Sequence, residues 1–212
     1  MAETAAPATS FENNLSHRVS PAAQLRAAFE TSSVRGVVEL GEIAFLTMVG
    51  LRVDRNSEAG QRVASVTGGL PAASGGVTGT GDTSVLWLGP EEFLVVAPTE
   101  AHESLGGDLI QVLREALADG EGQVVDLSAN RTTFELTGPR SRAVLEKGCS
   151  LDLHPRALLA GTALSTEIGN IPVVLWKTGE ESFRIFPRAS FADFLGRWLL
   201  DAMREYASPE VP

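Results

Sequence analysis

Apolar positions along the chain alternate between period-two runs and 3.6-residue stripes, and the same order of the two occurs twice. In the first half, VVEL (37–40) leads into IAFLTMVG (43–50). A short helix is predicted near 58–66, then a glycine-rich stretch, then VLWLGPEEFLVVAP (85–98). In the second half, VVDL (124–127) leads into RTTFELTGP (131–139), a short helix over 140–147 and VVLWKTGEESFRIFP (173–187). VVEL precedes the first VLW by 48 positions and VVDL precedes the second by 50. Near-equal spacing with the same order points to an internal duplication.

Each half closes on an amphipathic helix. In DLIQVLREALADG the stripe is Leu109, Val112, Leu113, Ala116 and Leu117, with Gly120 placed to end it. In SFADFLGRWLLDAMREY it is Phe191, Phe194, Leu195, Trp198, Leu199 and Ala202, with Ser190 and Asp193 spaced as a capping box. Burying six such side chains is worth roughly 10 kcal/mol gross, so this helix must pack on a sheet. Ser20-Pro21 opens a further short helix with Leu25, Ala28 and Phe29 on one face. Paired strands with segregated helices predict an α+β fold of two ferredoxin-like repeats. The expected organisation is a flexible arm over 1–19, repeats over 20–120 and 121–207, and a tail over 208–212.

The formal charge of −10 disfavours nucleic acid and anionic lipid as partners. Fifteen of the seventeen basic residues are Arg, with Lys only at 147 and 177. The first twenty residues lack the basic start and apolar core of a secretory signal, and the longest apolar run, Phe93 to Ala97, is far short of a membrane span. One cysteine permits no internal disulfide. The expected location is the cytoplasm.

Candidate chemistry is sparse. Cys149, Asp152 and His154 lie close in EKGCSLDLHPR (146–156). Cys149 follows a helix C-terminus, where the dipole opposes a thiolate. The run then alternates, so Cys149, Leu151 and Leu153 face one way and Ser150, Asp152 and His154 the other. A Cys–His dyad is therefore not expected; the polar face suits contact with a partner. His17 and His102 lie in polar stretches and no zinc-ligand cluster is visible. TGGLPAASGGVTGTGDTS (67–84) has neither the Gly-Lys-[Ser/Thr] of a phosphate loop nor a helix after it, and reads as a flexible or partner-ordered connection. Arg140 and Arg142 stand in the first turn of a helix, where cations oppose the dipole; a carboxylate from a ligand or partner chain would account for them, and so equally would solvation with no partner. No catalytic, cofactor-binding or metal-binding residue is assigned.

VVDLSANRTTFELTGPRSRAVLEKGCSLDLHP with SFADFLGRWLLDA resembles the gamma-subunit family of bacterial heterotetrameric sarcosine oxidases over about residues 20–206. A wider resemblance, to folate-dependent aminomethyltransferases, is carried by Leu136 to Leu145 and by Thr178-Gly179-Glu180 through Pro187 to Trp198. The transferases continue into a pterin-binding segment and a third domain that this sequence does not show, so no catalytic residue carries over. The first resemblance implies membership in a complex that oxidatively demethylates sarcosine to glycine, yielding hydrogen peroxide and formaldehyde or 5,10-methylene-tetrahydrofolate. It implies alpha, beta and delta subunits as partners, chiefly alpha, with FAD, FMN, NAD and tetrahydrofolate held in those chains and none in this one. The alternative implied by the second is a small folate-binding or one-carbon transfer protein, with Arg140 and Arg142 anchoring the folate's glutamate tail.

Overall fold

The computed structural model describes residues 18–207. The tail expected over 208–212, and the arm over 1–19 apart from Arg18 and Val19, lie outside the described residues, as does His17. Among the described residues, ten strands and five α-helices run in the order α1 (Arg26–Ser32), β1 (Glu39–Ile43), β2 (Thr47–Val53), α2 (Glu58–Thr67), β3 (Val77–Thr80), β4 (Thr83–Gly89), β5 (Glu92–Ala97), α3 (Leu109–Leu117), β6 (Gly122–Asp126), β7 (Thr133–Thr137), α4 (Ser141–Glu146), β8 (Thr162–Ile168), β9 (Ile171–Gly179), β10 (Ser182–Pro187) and α5 (Ala192–Ala207).

The strands form two antiparallel sheets, β3-β4-β5-β2-β6 and β8-β9-β10-β7-β1. Written this way the two orders correspond strand for strand, which is the expected duplication in three dimensions. Within the first, β2-α2-β4-β5-α3-β6 is the ferredoxin-like βαββαβ unit, with β3 added at its edge. In the second, β1 occupies the place corresponding to β6, paired to β7 from Glu39↔Thr137 to Ile43↔Thr133. The boundary expected at 120/121 therefore does not separate the sheets. β1 joins the second sheet and β6 joins the first, pairing β2 from Val49↔Asp126 to Val53↔Gly122.

Period-two alternation explains the layering. On β2, Val49, Leu51 and Val53 pack with Ile110, Leu113 and Leu117 of α3, whereas Met48 points the other way. On β9 and β10, Val173, Leu175, Phe183 and Ile185 face α1, α4 and α5. Their alternate neighbours Val174 and Phe186 meet Met48, Leu86, Leu94 and Val96 from the first sheet. The result is four layers, with helices outside and the two sheets stacked on a shared apolar seam.

Several local expectations change. The run 43–50 is not one strand: the chain turns at 44–46, with Phe45 at φ 62°. The Ser20 hydroxyl does not cap α1; it donates to Glu42, whose other oxygen accepts from the Ala22 N–H. The start of α5 is a 3-10 turn over Ala189–Phe191, and Asp193 accepts from Arg197 and Gln24 instead of closing a box on Ser190. The buried stripe of α5 is Ala192, Leu195, Leu199, Ala202 and Met203, leaving Phe191 and Phe194 exposed. Finally, 67–84 is ordered by its own chain: Gly68 ends α2, β3 pairs with β4, and Gly75 bridges to Ala163 of the second sheet.

Candidate functional site

Gly138 carries the chain from β7 into α4 at φ 103°, so close to β1 that a Cβ there would lie 2.6 Å from the Val37 carbonyl oxygen. This turn presents Arg140 and Arg142 at the start of α4, but both find partners within the chain. Arg142 pairs with Glu146 one turn on at 3.2 Å. The Arg140 guanidinium lies 5.7 Å from the centre of the Tyr206 ring, which Lys147 also approaches at 5.0 Å. Lys147 further donates to the Ala202 carbonyl at 2.5 Å and pairs with Glu205 at 2.7 Å. Arg140 and Lys147 thus tie α4 to the end of α5. Arg140 and Arg142 therefore each have an interaction within the chain.

The segment after α4 behaves as its alternation predicts. The Cys149 N–H closes the helix on the Leu145 carbonyl at 2.9 Å, and its side chain packs with Leu151 against the core. Leu153 is buried, while Ser150, Asp152 and His154 are exposed. Asp152 accepts from the His154 N–H at 2.9 Å, and His154 Nδ1 accepts from the Arg156 N–H at 3.1 Å. These two side chains hold a turn and are not aimed at Cys149. Among the described residues, no group of three or more His, Cys, Asp or Glu side chains could hold a metal ion.

The structure also assembles a constellation with no counterpart among the sequence motifs. His102 Nε2 lies 3.0 Å from Asp126 Oδ2, and His102 Nδ1 lies 2.8 Å from Ser104 Oγ. The residue types are those of a hydrolytic triad. However, Nδ1 also accepts the Ser104 backbone N–H at 3.1 Å, so the lone pair a general base would use is engaged. Burial by itself raises the Asp126 carboxyl pKa, but hydrogen bonds from the Ser128 hydroxyl and N–H and from His102 outweigh it, holding the group below its ordinary value. The trio straps the 3-10 turns over 99–105 to the edge strand β6. Pairing across 24 residues at a sheet edge leaves no local sequence signal.

Surface clefts of about 190–510 Å³ are lined by other residues than these. Nothing described so far combines a nucleophile, a free base and a cavity, which is what a reaction centre requires. Among the described residues, no helix is long and apolar enough to cross a membrane.

Comparison with known proteins gives the family directly. The family model for "Sarcosine oxidase, gamma subunit family" matches residues 58–205. The sarcosine oxidase subunit gamma of Corynebacterium sp. (strain U-96) is 48% identical over 198 residues, spanning 92% of this chain and 94% of that protein. The counterpart from Arthrobacter sp. is 47% identical over 196 residues, with the same coverage. A chain of the heterotetrameric sarcosine oxidase from Corynebacterium sp. U-96, solved in complex with pyrrole 2-carboxylate, superposes with a TM-score of 0.85 over 92% of this chain and 99% of its own. The glycine cleavage system aminomethyltransferase T of Bartonella henselae shares the fold, with a TM-score of 0.58 at 17% identity over 83% of this chain and 48% of that one. By its family model and its full-length relatives alike, this chain belongs to the sarcosine oxidase gamma subunit family.

Proposed function

We propose that this chain is a non-catalytic, structural subunit of a cytoplasmic heterotetrameric sarcosine oxidase. The assembly oxidatively demethylates sarcosine to glycine, releasing hydrogen peroxide and formaldehyde or 5,10-methylene-tetrahydrofolate. Alpha, beta and delta subunits are its partners, chiefly alpha, and FAD, FMN, NAD and tetrahydrofolate reside in those chains. The observation that carries this reading is 48% identity spread over 92% of the chain, with a superposition that takes in 99% of a chain from the Corynebacterium complex. The site supports it: Cys149 packs into the core, His102 is saturated, and Arg140 and Arg142 are engaged internally. The exposed Ser150, Asp152 and His154 edge is one surface through which the chain meets its partners, with Arg140 and Arg142 beside it.

Co-expression with candidate partner chains tests this reading. The tagged chain should retain flavin-containing partners through purification, while the chain alone should be colourless and inert toward sarcosine. Saturable tetrahydrofolate binding by the isolated chain in the micromolar range, or turnover by it, would instead favour the one-carbon alternative.

A further inference from the structure

We propose that Arg18, Arg131 and Arg188 form a docking pocket for an acidic side chain of a partner subunit. The proposal rests on the reading of the chain as a subunit.

Arg131 links the other two, sharing a cleft with Arg18 and a strand bridge with Arg188. Arg131 and Arg188 face each other across an isolated bridge, where the lead-in to β7 meets the end of β10. Arg131 Nη1 donates to the Phe186 carbonyl at 2.8 Å, and the Ala189 N–H donates to Asn130. The Arg18 guanidinium lies 4.8 Å from the centre of the Phe45 ring. Arg18, Phe45, Ser128 and Arg131 line a cleft of about 190 Å³.

Two donors here are buried without an acceptor, Arg18 Nη1 and Arg131 Nε. Among the described residues, none of the three arginines pairs with a carboxylate. The carboxylate on the adjoining strand, Glu42, is already taken by Ser20, Ala22 and Thr132. Burial, and then the nearby Arg188, depress the Arg131 pKa, as expected of cations with no anion between them. Buried guanidinium N–H groups left unmet, as in Arg18 and Arg131, are costly, and with the exposed Arg188 beside Arg131 on a chain of net charge −10 they call for an anion. Phe45 holds a left-handed backbone that bulky residues avoid, and it does so at the wall of this same cleft.

The cleft is smaller than the roughly 300–1,000 Å³ of small-molecule sites, so one side chain fits it better than a cofactor. Around this end of the sheet, Val19 is 79% exposed, Phe194 54% and Phe191 38%. A charged anchor pocket beside uncovered apolar side chains is the anatomy of a protein interface.

The test is assembly of the co-expressed oxidase with the parent chain, Arg131→Met, Arg188→Glu, and a chain lacking residues 1–17, which contain Glu3 and Glu12. Arg188 is exposed, so its reversal leaves the fold intact even if Arg131→Met does not fold. Both substitutions should weaken association by about 10- to 100-fold, with a shallower salt dependence, and the truncation should leave it unchanged. Arg188→Glu binding within about twofold of the parent, while the parent assembles, overturns the pocket and leaves the subunit reading standing. Failure of the parent to assemble overturns both. Lower free-chain stability in both substitutions and in the truncated chain, with assembly unchanged, assigns the pocket to this chain's own Glu3 or Glu12 and overturns the proposal.

Discussion

Glu42 accepts a hydrogen bond from the Ser20 hydroxyl at 2.6 Å, joining strand β1 to the start of the N-terminal helix 22 residues away. The same carboxylate accepts from the Ala22 N–H and the Thr132 hydroxyl, so one side chain holds three segments together. Hydrogen bonds to a charged acceptor are worth about 1.5–3 kcal/mol. Glu42→Ala should therefore lower unfolding stability by about that amount. Hydrogen exchange should rise over residues 20–25 and β1 more than over α3; a uniform rise across both sheets would contradict this local role.

Gly148 sits directly beneath Trp198. A Cβ at this position would lie 2.4 Å from Cζ2 of the indole, and the Gly148 carbonyl already accepts the Gly169 N–H at 3.0 Å. Gly148→Ala must displace the ring from the second sheet's helical layer, and overpacking of this kind costs about 1–3 kcal/mol. Urea denaturation should show that loss together with a change in tryptophan fluorescence. An unperturbed spectrum would mean that the ring is not confined there.

Lys177 is a buried lysine, 1% exposed, whose Nζ donates to the Leu158 carbonyl at 3.0 Å. Glu180 is 3.9 Å away and mostly exposed, too weakly placed to serve as a buried ion partner. Lys177→Met keeps the packing of the stem and orphans one carbonyl, at a cost of about 1–3 kcal/mol. Lys177→Ala adds a cavity and should cost more, within the roughly 2–5 kcal/mol range of large-to-small core changes. Equal losses in the two variants would show that the stem contributes no packing.

Asp126 carries a pH prediction. Its carboxyl is held below the ordinary value of 3.8 in the folded chain. A depressed folded pKa adds stability that is present above 3.8 and lost as the pH falls through the folded value. Asp126→Asn should flatten the stability profile below about pH 4 and leave its shape between pH 6 and 8 unchanged. Measuring denaturation midpoints across that range checks the sign; a profile that steepens at neutral pH would contradict it.

Much of this architecture was legible in the chain because period and spacing are local properties. VVEL, VVDL and the two VLW runs mark equivalent strands, and CSLDLH alternates in the structure as it does on paper. The exchange of β1 and β6 between sheets was not legible, since which strand completes a sheet depends on register between distant segments. The stripe of α5 was legible at Leu195, Leu199 and Ala202, which are buried, but not at its edges: Phe191 and Phe194 satisfy the helical period yet stay exposed, while Ala192 and Met203 turn inward. Strand β3 could have been found, because Val77, Thr78 and Thr80 are β-branched within the glycine run. The internal partner of Arg140 could not, as Tyr206 lies more than sixty residues away, whereas Arg142 and Glu146 have the i,i+4 spacing of a helix pair and could have been matched.

The central claim is that this subunit contributes position and not chemistry, and the kcat of the assembled oxidase tests it most directly. A complex carrying His102→Asn, Cys149→Ala and His154→Asn together in this chain should turn over sarcosine within about twofold of the parent complex. Loss of a true acid–base or nucleophilic group costs about 10²- to 10⁴-fold, so a fall of that size in fully assembled enzyme would contradict the account.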